Sequence, residues 1–198
     1  DPSVALDMIH KKAGELVEAQ YRSWNETLRP ALAEAGIRVL TRESWNDAQK
    51  QWLHEYFEND IAPVLSPLGL DPAHPFPRIL NKSLNFAIEL DGRDAFGRRV
   101  GIAIVQSPRV LPRIVRVPPE ISGAPHGVML LTSIVQGFVD RLFPGLAVRS
   151  VHQFRLTRNS ELFVDDEEVT DLRVALQDEL VQRHYGDEVR LEVSEGIP

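Results

Sequence analysis

The residues best placed to do chemistry lie in one short stretch. The segment Asp71-Pro-Ala-His-Pro-Phe-Pro-Arg78 sets His74 among prolines, with Asp71 shortly before it and Arg78 shortly after. A histidine that accepts a phosphoryl group needs a neutral imidazole, a partner orienting its second nitrogen, and cations around the phosphate. Asp71 is the candidate orienting group and Arg78 the candidate phosphate partner. The competing reading is structural: Asp71 and His74 satisfy backbone groups that the prolines leave unpaired. The remaining histidines, His10, His54, His126, His152 and His184, are scattered, with no His-Glu-x-x-His and no pair four apart. No metal site is expected from them.

Other chemistries are bounded by what the chain lacks. It has no cysteine, so thiol catalysis, disulfides and thiolate metal sites are excluded, and a reducing cytoplasm is the expected compartment. No G-x-x-x-x-G-K-[ST] loop, G-x-G-x-x-G fingerprint or G-x-S-x-G elbow occurs. No apolar run approaches the roughly 18 residues of a membrane span. A formal net charge of −7 argues against nucleic acid as a partner, because phosphate contacts need clustered Lys and Arg.

That charge is unevenly spread. Six arginines (Arg93, Arg98, Arg99, Arg109, Arg113 and Arg116) face one acid, Asp94, in a single stretch, whereas Glu161 to Asp171 is acidic. The basic stretch is a candidate polyanion face. Lys82, Arg155 and Arg158 are further candidates for a polyanion path. Arg155 and Arg158 are three apart in a strand pattern and point to opposite faces, so they do not form one fork. One is expected to line the path while the other pairs with an acid such as Asp165. For every arginine the plainer alternative is a solvated or ion-paired side chain.

The elements that must position these residues are legible as patterns. Ser3 to Ala35 reads as one long amphipathic helix, with Leu6, Ile9, Ala13, Leu16, Val17, Trp24 and Leu28 near one stripe and a kink or break at Pro30. Ile37 to Leu40 is a short extended piece. Thr41 to Val64 predicts a second helix, capped by Thr41 or Ser44 and burying Trp45, Ala48, Trp52, Tyr56 and Phe57. Five prolines between Asp60 and Leu90 end that helix and hold the chain extended. From Ser83 the alternation of Leu84, Phe86, Ile88 and Leu90 against Asn85, Ala87 and Glu89 predicts a half-buried strand. Arg99 to Gln106 is its expected antiparallel partner. Arg113 to Val117, edged by Pro112 and Pro118, reads as an edge strand. Val128 to Leu131 is extended, Thr132 to Phe143 helical, and Ala147 to Thr157 a strand with Leu162–Val164 as a possible partner. Asp171 to Tyr185 predicts a helix capped by Thr170, and Glu188 to Val193 a closing strand. The fold class expected is α+β: a mixed sheet with flanking helices, preceded by a long helical N-terminal segment.

The run Val64 to Leu90, VLSPLGLDPAHPFPRILNKSLNFAIEL, resembles the opening of the middle, or head, domain of polyphosphate kinases of the first, histidine-phosphorylating type. Three later pieces agree in order: Leu142-Phe-Pro-Gly145, Phe154 to Asn159, and Val189 to Val193. The resemblance implies that residues 1–40 are the tail of a helical N-terminal domain and residues 41–198 the middle domain. It implies an enzyme that moves the terminal phosphate of ATP onto inorganic polyphosphate through a phosphohistidine. ATP and Mg2+ are then cofactors of the full-length chain and none is held by this part. The family's adenine-contacting asparagine is expected upstream of Asp1, and its catalytic histidines, ATP-contacting residues and magnesium-associated arginines downstream of Pro198. No catalytic residue carries over, His74 included. What carries over is a scaffold role, with the remaining domains of the same chain, further copies of it and polyphosphate as partners. The alternative is an independent polyanion-binding domain using Arg93–Arg116.

Overall fold

The structure, a computed structural model, describes residues 1–70, 76–93, 97, 101–159 and 186–197. It is α+β, and it divides into two compact units, one from residues 1–52 and 113–133, the other from residues 53–112 and 134–198. Asp71 and His74, the arginines at 98 and 99, and the stretches expected at 162–164 and 171–185 lie outside the described residues.

In the first unit the chain opens with α1, Pro2–Arg22, whose start is capped by the Asp1 carboxylate accepting from the Ser3 N–H at 3.0 Å. No residue of α1 is buried; Ala13 and Val17 are half-buried while Leu6, Ile9 and Leu16 are exposed. The break expected at Pro30 takes a specific form. Ser23–Leu28 winds as a wider π turn, in which the Arg29 N–H reaches back to the Trp24 carbonyl, and α2, Arg29–Glu34, follows with Pro30 in its first turn. Proline has no N–H to give and crowds the turn before it, so the wider turn absorbs what a regular helix would not. After Gly36, at φ 80°, the strand β1, Ile37–Leu40, begins.

The second helix starts later than the sequence predicts. Thr41 and Ser44 bond each other within a short 3-10 turn, Arg42–Ser44. The cap of α3, Asp47–Tyr56, is Asn46, whose side-chain oxygen accepts from the Gln49 N–H at 2.9 Å while Gln49 reaches back to the Asn46 N–H at 3.2 Å. This reciprocal pair is a capping box built from Asn and Gln. Of the positions expected to be buried, Trp45 and Phe57 are, Trp52 and Tyr56 are only half-buried, and Ala48 is exposed. The buried set is Trp45, Gln49, Leu53, Phe57 and Ile61, every fourth residue. A strict four-residue step outruns a 3.6-residue helix, and the chain winds as a π turn at Phe57–Ile61.

The expected single mixed sheet is two sheets. In the first unit, β6 (His126–Leu130) lies between β1, which it pairs in parallel, and β5 (Ile114–Val117), which it pairs antiparallel. The helix α4, Pro119–Ser122, connects β5 to β6 and ends on Gly123 at φ 65°. Val115, Val117 and Met129 are buried while Ile114, Arg116 and Leu130 are exposed, the period of two that a one-sided sheet requires.

The second unit holds an antiparallel sheet of five strands in the order β2 (Ser66–Gly69), β4 (Ile102–Gln106), β3 (Asn85–Asp91), β7 (Ala147–Arg158) and β8 (Glu188–Val193). Part of the proline-rich stretch is therefore sheet. Pro67 sits in β2, at an edge, where a missing N–H is tolerated. Phe86, Ile88, Leu90, Ala103 and Val105 form the buried face. Asn85 is also fully buried, and its amide donates to the Ser83 carbonyl at 2.9 Å and the Ser83 hydroxyl oxygen at 3.1 Å. The helix α5, Leu131–Phe138, runs into a 3-10 turn, Val139–Leu142, with Ile134, Val135 and Val139 buried.

Candidate functional site

Lys82, Arg109 and Arg158 meet around one turn of the second unit. Lys82 is the only non-glycine residue at positive φ (55°) among the described residues. Its N–H donates to the Leu156 carbonyl in β7 at 2.7 Å, which ties the turn to the sheet and leaves the exposed ammonium group outward of it. Asn81, which the sequence reading passed over, is the centre of this turn. Its side-chain oxygen accepts from the Arg158 backbone N–H at 2.9 Å, and its carbonyl accepts from Arg109 at 3.4 Å. The Arg78 carbonyl accepts from Gln106 at 3.1 Å.

Arg158 fastens the arrangement. Its side chain is only 10% exposed. Nε donates to the Ile79 carbonyl at 2.9 Å, and one terminal nitrogen serves both the Gly186 carbonyl at 2.8 Å and the Glu188 carboxylate at 2.6 Å. A guanidinium spent on two carbonyls and a carboxylate clamps three segments together, and its charge is compensated where it sits. The Glu188 carboxyl is held below the usual carboxylate range, first by its own backbone N–H and then by Arg158.

Arg155, also in β7, makes a two-pronged pair with Glu192 of β8, at 2.7 and 2.9 Å. Arg190 joins the same carboxylate at 3.3 Å. The Glu192 carboxyl is likewise depressed, chiefly by the hydrogen bond from Arg155. Arg155 is 53% exposed. Both arginines are thus ion-paired with β8, and a register shift between Thr157 and Arg158 breaks the expected alternation, so that both oppose the same face of β8, at Glu192 and Glu188. The alternation Glu188-Val-Arg-Leu-Glu-Val193 was the available signal for those partners.

Four arginines of the six-arginine stretch are described, two in each unit. Arg93 donates to the Gly97 carbonyl at 2.6 Å and Arg109 to Asn81, both in the second unit, while Arg113 and Arg116 belong to the first. Arg116 lines an apolar groove of the first unit with Pro118, Pro125 and His126. A second, open cleft of about 550 Å³ there is lined by Arg29, Arg38, Ser44, Gln49 and Glu120 among others. Among the described residues, no three His, Asp or Glu side chains converge as a metal ion requires. The described arrangement positions backbone and presents surface charge.

Comparison with known proteins agrees on one family. Residues 48–198 match the family model described as "Polyphosphate kinase middle domain". A polyphosphate kinase of Burkholderia vietnamiensis is 57% identical over 194 residues, covering 98% of this chain and 28% of that protein. One of Paraburkholderia phytofirmans is 57% identical over 192 residues, with 97% and 28% covered. The crystal structure of polyphosphate kinase from Porphyromonas gingivalis superposes with a TM-score of 0.65 at 23% identity, over 92% of this chain and 30% of that one. The chain spans under a third of the length of these relatives. It belongs to the polyphosphate kinase family and carries that family's middle domain.

Proposed function

We propose that this chain is the structural middle part of a cytoplasmic enzyme that transfers the terminal phosphate of ATP to inorganic polyphosphate by way of a phosphohistidine held elsewhere in the polypeptide. Residues 1–40 then close a helical N-terminal domain, and residues 41–198 form a head that supports assembly of copies beside the polyphosphate path. The match of residues 48–198 to the middle domain carries this reading. The site geometry supports it, since Arg158 is committed to internal oxygens and Arg155 to Glu192. ATP and Mg2+ belong, on this reading, to the rest of the enzyme.

Phosphate transfer from ATP to polyphosphate, assayed for this chain alone and for the full-length polypeptide containing it, tests the proposal. Activity is expected only in the full-length protein, with negligible ATP binding by the chain alone. Turnover by the chain alone would overturn it. Light scattering at low and high salt, with and without long-chain polyphosphate, tests the scaffold role. A dimer indifferent to salt and polymer is expected. A monomer that takes up polyphosphate only at low salt would favour the polyanion face of Arg93–Arg116 instead.

A further inference from the structure

Arg141, Arg149, Arg155, Arg158 and Arg190, all in the second unit, each hold a carboxylate within ion-pair distance. Arg29 and Arg38 hold none, and together they line the open cleft of the first unit. They come from separate elements, Arg29 from the first turn of α2 and Arg38 from β1, so the fold brings them to one place. Two cations gathered without an acid between them repel, and a cleft concentrates the field they set up.

The rest of the lining adds donors. Asn46 spends its side-chain oxygen on the Gln49 N–H, which leaves its amide NH2 without a partner among the described residues. Gln49 is buried, and its own NH2 is committed to the Ile121 carbonyl at 3.1 Å, so the capping pair is held in place. It stands at the start of α3, the end of a helix that carries partial positive charge. Glu120 also lines the cleft, paired with neither arginine. A carboxylate accepts hydrogen bonds and donates none. It therefore repels a fully deprotonated oxyanion and accepts from one that keeps a proton. Near neutral pH a phosphate keeps a P–OH, whereas sulfate has none. The cleft, about 550 Å³, is of the size that takes small ligands.

We propose that this cleft is a phosphate site, in which Arg29, Arg38 and the Asn46 amide hold the charged oxygens while Glu120 accepts from the P–OH, so that phosphate enters and sulfate is refused. Free orthophosphate and the terminal phosphate of a phosphate chain share this chemistry. The site stands apart from the transfer of phosphate proposed above and does not depend on it.

Isothermal titration calorimetry on the full-length polypeptide, without ATP and at low ionic strength, tests it, since exposed charges are screened by salt. Orthophosphate is expected to bind saturably. Arg29→Gln and Arg38→Gln are each expected to weaken one binding event by about tenfold or more. Sulfate is expected not to compete in the unaltered protein and to compete once Glu120→Gln removes the negative charge. An orthophosphate isotherm unchanged by both arginine variants would overturn the proposal, and so would sulfate that competes equally in the unaltered protein. Tripolyphosphate separates the two sources. Displacement of orthophosphate from the same event assigns the site to chain ends, and failure to displace assigns it to free phosphate. Both arginines are exposed, so the core is untouched by either variant. Circular dichroism melts confirm the fold, and should one variant fail to fold the other decides.

Discussion

Two arginines three residues apart in β7 have similar partners and very different weights. The Arg158 side chain is 10% exposed and satisfies two carbonyls besides Glu188, whereas that of Arg155 is 53% exposed and pairs with Glu192. Arg158→Ala leaves buried acceptors unpaired and is expected to cost about 1–3 kcal/mol in urea denaturation. Arg155→Ala removes an exposed pair and should cost under about 1 kcal/mol. The depressed carboxyls of Glu188 and Glu192 fix a direction with pH. Their stabilisation is complete above the ordinary carboxylate range and is lost as pH falls through the folded values, because the unfolded chain takes up protons first. Melting temperature should therefore drop on acidification below about pH 4.3, and the Glu188→Gln, Glu192→Gln double variant should lose less over that range. Spacing alone set Arg155 and Arg158 on opposite faces, but the bulge between Thr157 and Arg158, which strand period does not announce, turns both toward one face of β8. The clamp was not legible either, because the carbonyls of Ile79 and Gly186 carry no side-chain signature.

At the scale of elements, local chemistry shifted the boundaries that periodicity drew. The hydrophobic pattern read a helix from Thr41, but Asn46 and Gln49 satisfy each other's backbone groups and begin it at Asp47. Asn46→Ala is expected to cost about 1 kcal/mol, read from the thermal melt. Gly127 in β6 is a tighter constraint. A methyl group there would overlap the Ser122 side chain and press to 3.3 Å from the Val117 carbonyl. Gly127→Ala should destabilise by roughly 1–3 kcal/mol, and Ser122→Gly in the same chain should recover part of it. Strand alternation predicted the buried face of β3, yet it put Asn85 on the solvated side. The Ser83 hydroxyl and carbonyl that satisfy Asn85 in the interior lie two residues away, at the turn, where strand period says nothing.

For the whole molecule, the α+β class and nearly the full order of described elements were legible, because each element announces itself within its own residues. Pairing between sheets was not. The parallel pairing of β1 with β6 joins segments far apart in sequence, and neither short run names its partner. The same holds for β2, whose Pro67 reads as linker until β4 supplies the ladder. The family was legible for a related reason: four short pieces in order carry more information than any one of them.

That β1–β6 pairing bears on how the chain comes to be folded. The first unit is interrupted, its opening and closing segments separated by residues 53–112 of the other. As the polypeptide leaves the ribosome, Ile37–Leu40 waits without its neighbour until His126–Leu130 has been made. Pairings so distant along the chain close slowly. The exposed apolar residues of α1 are thus already outside before the first sheet can form, and early nascent chains should be the ones that hold on to chaperones longest.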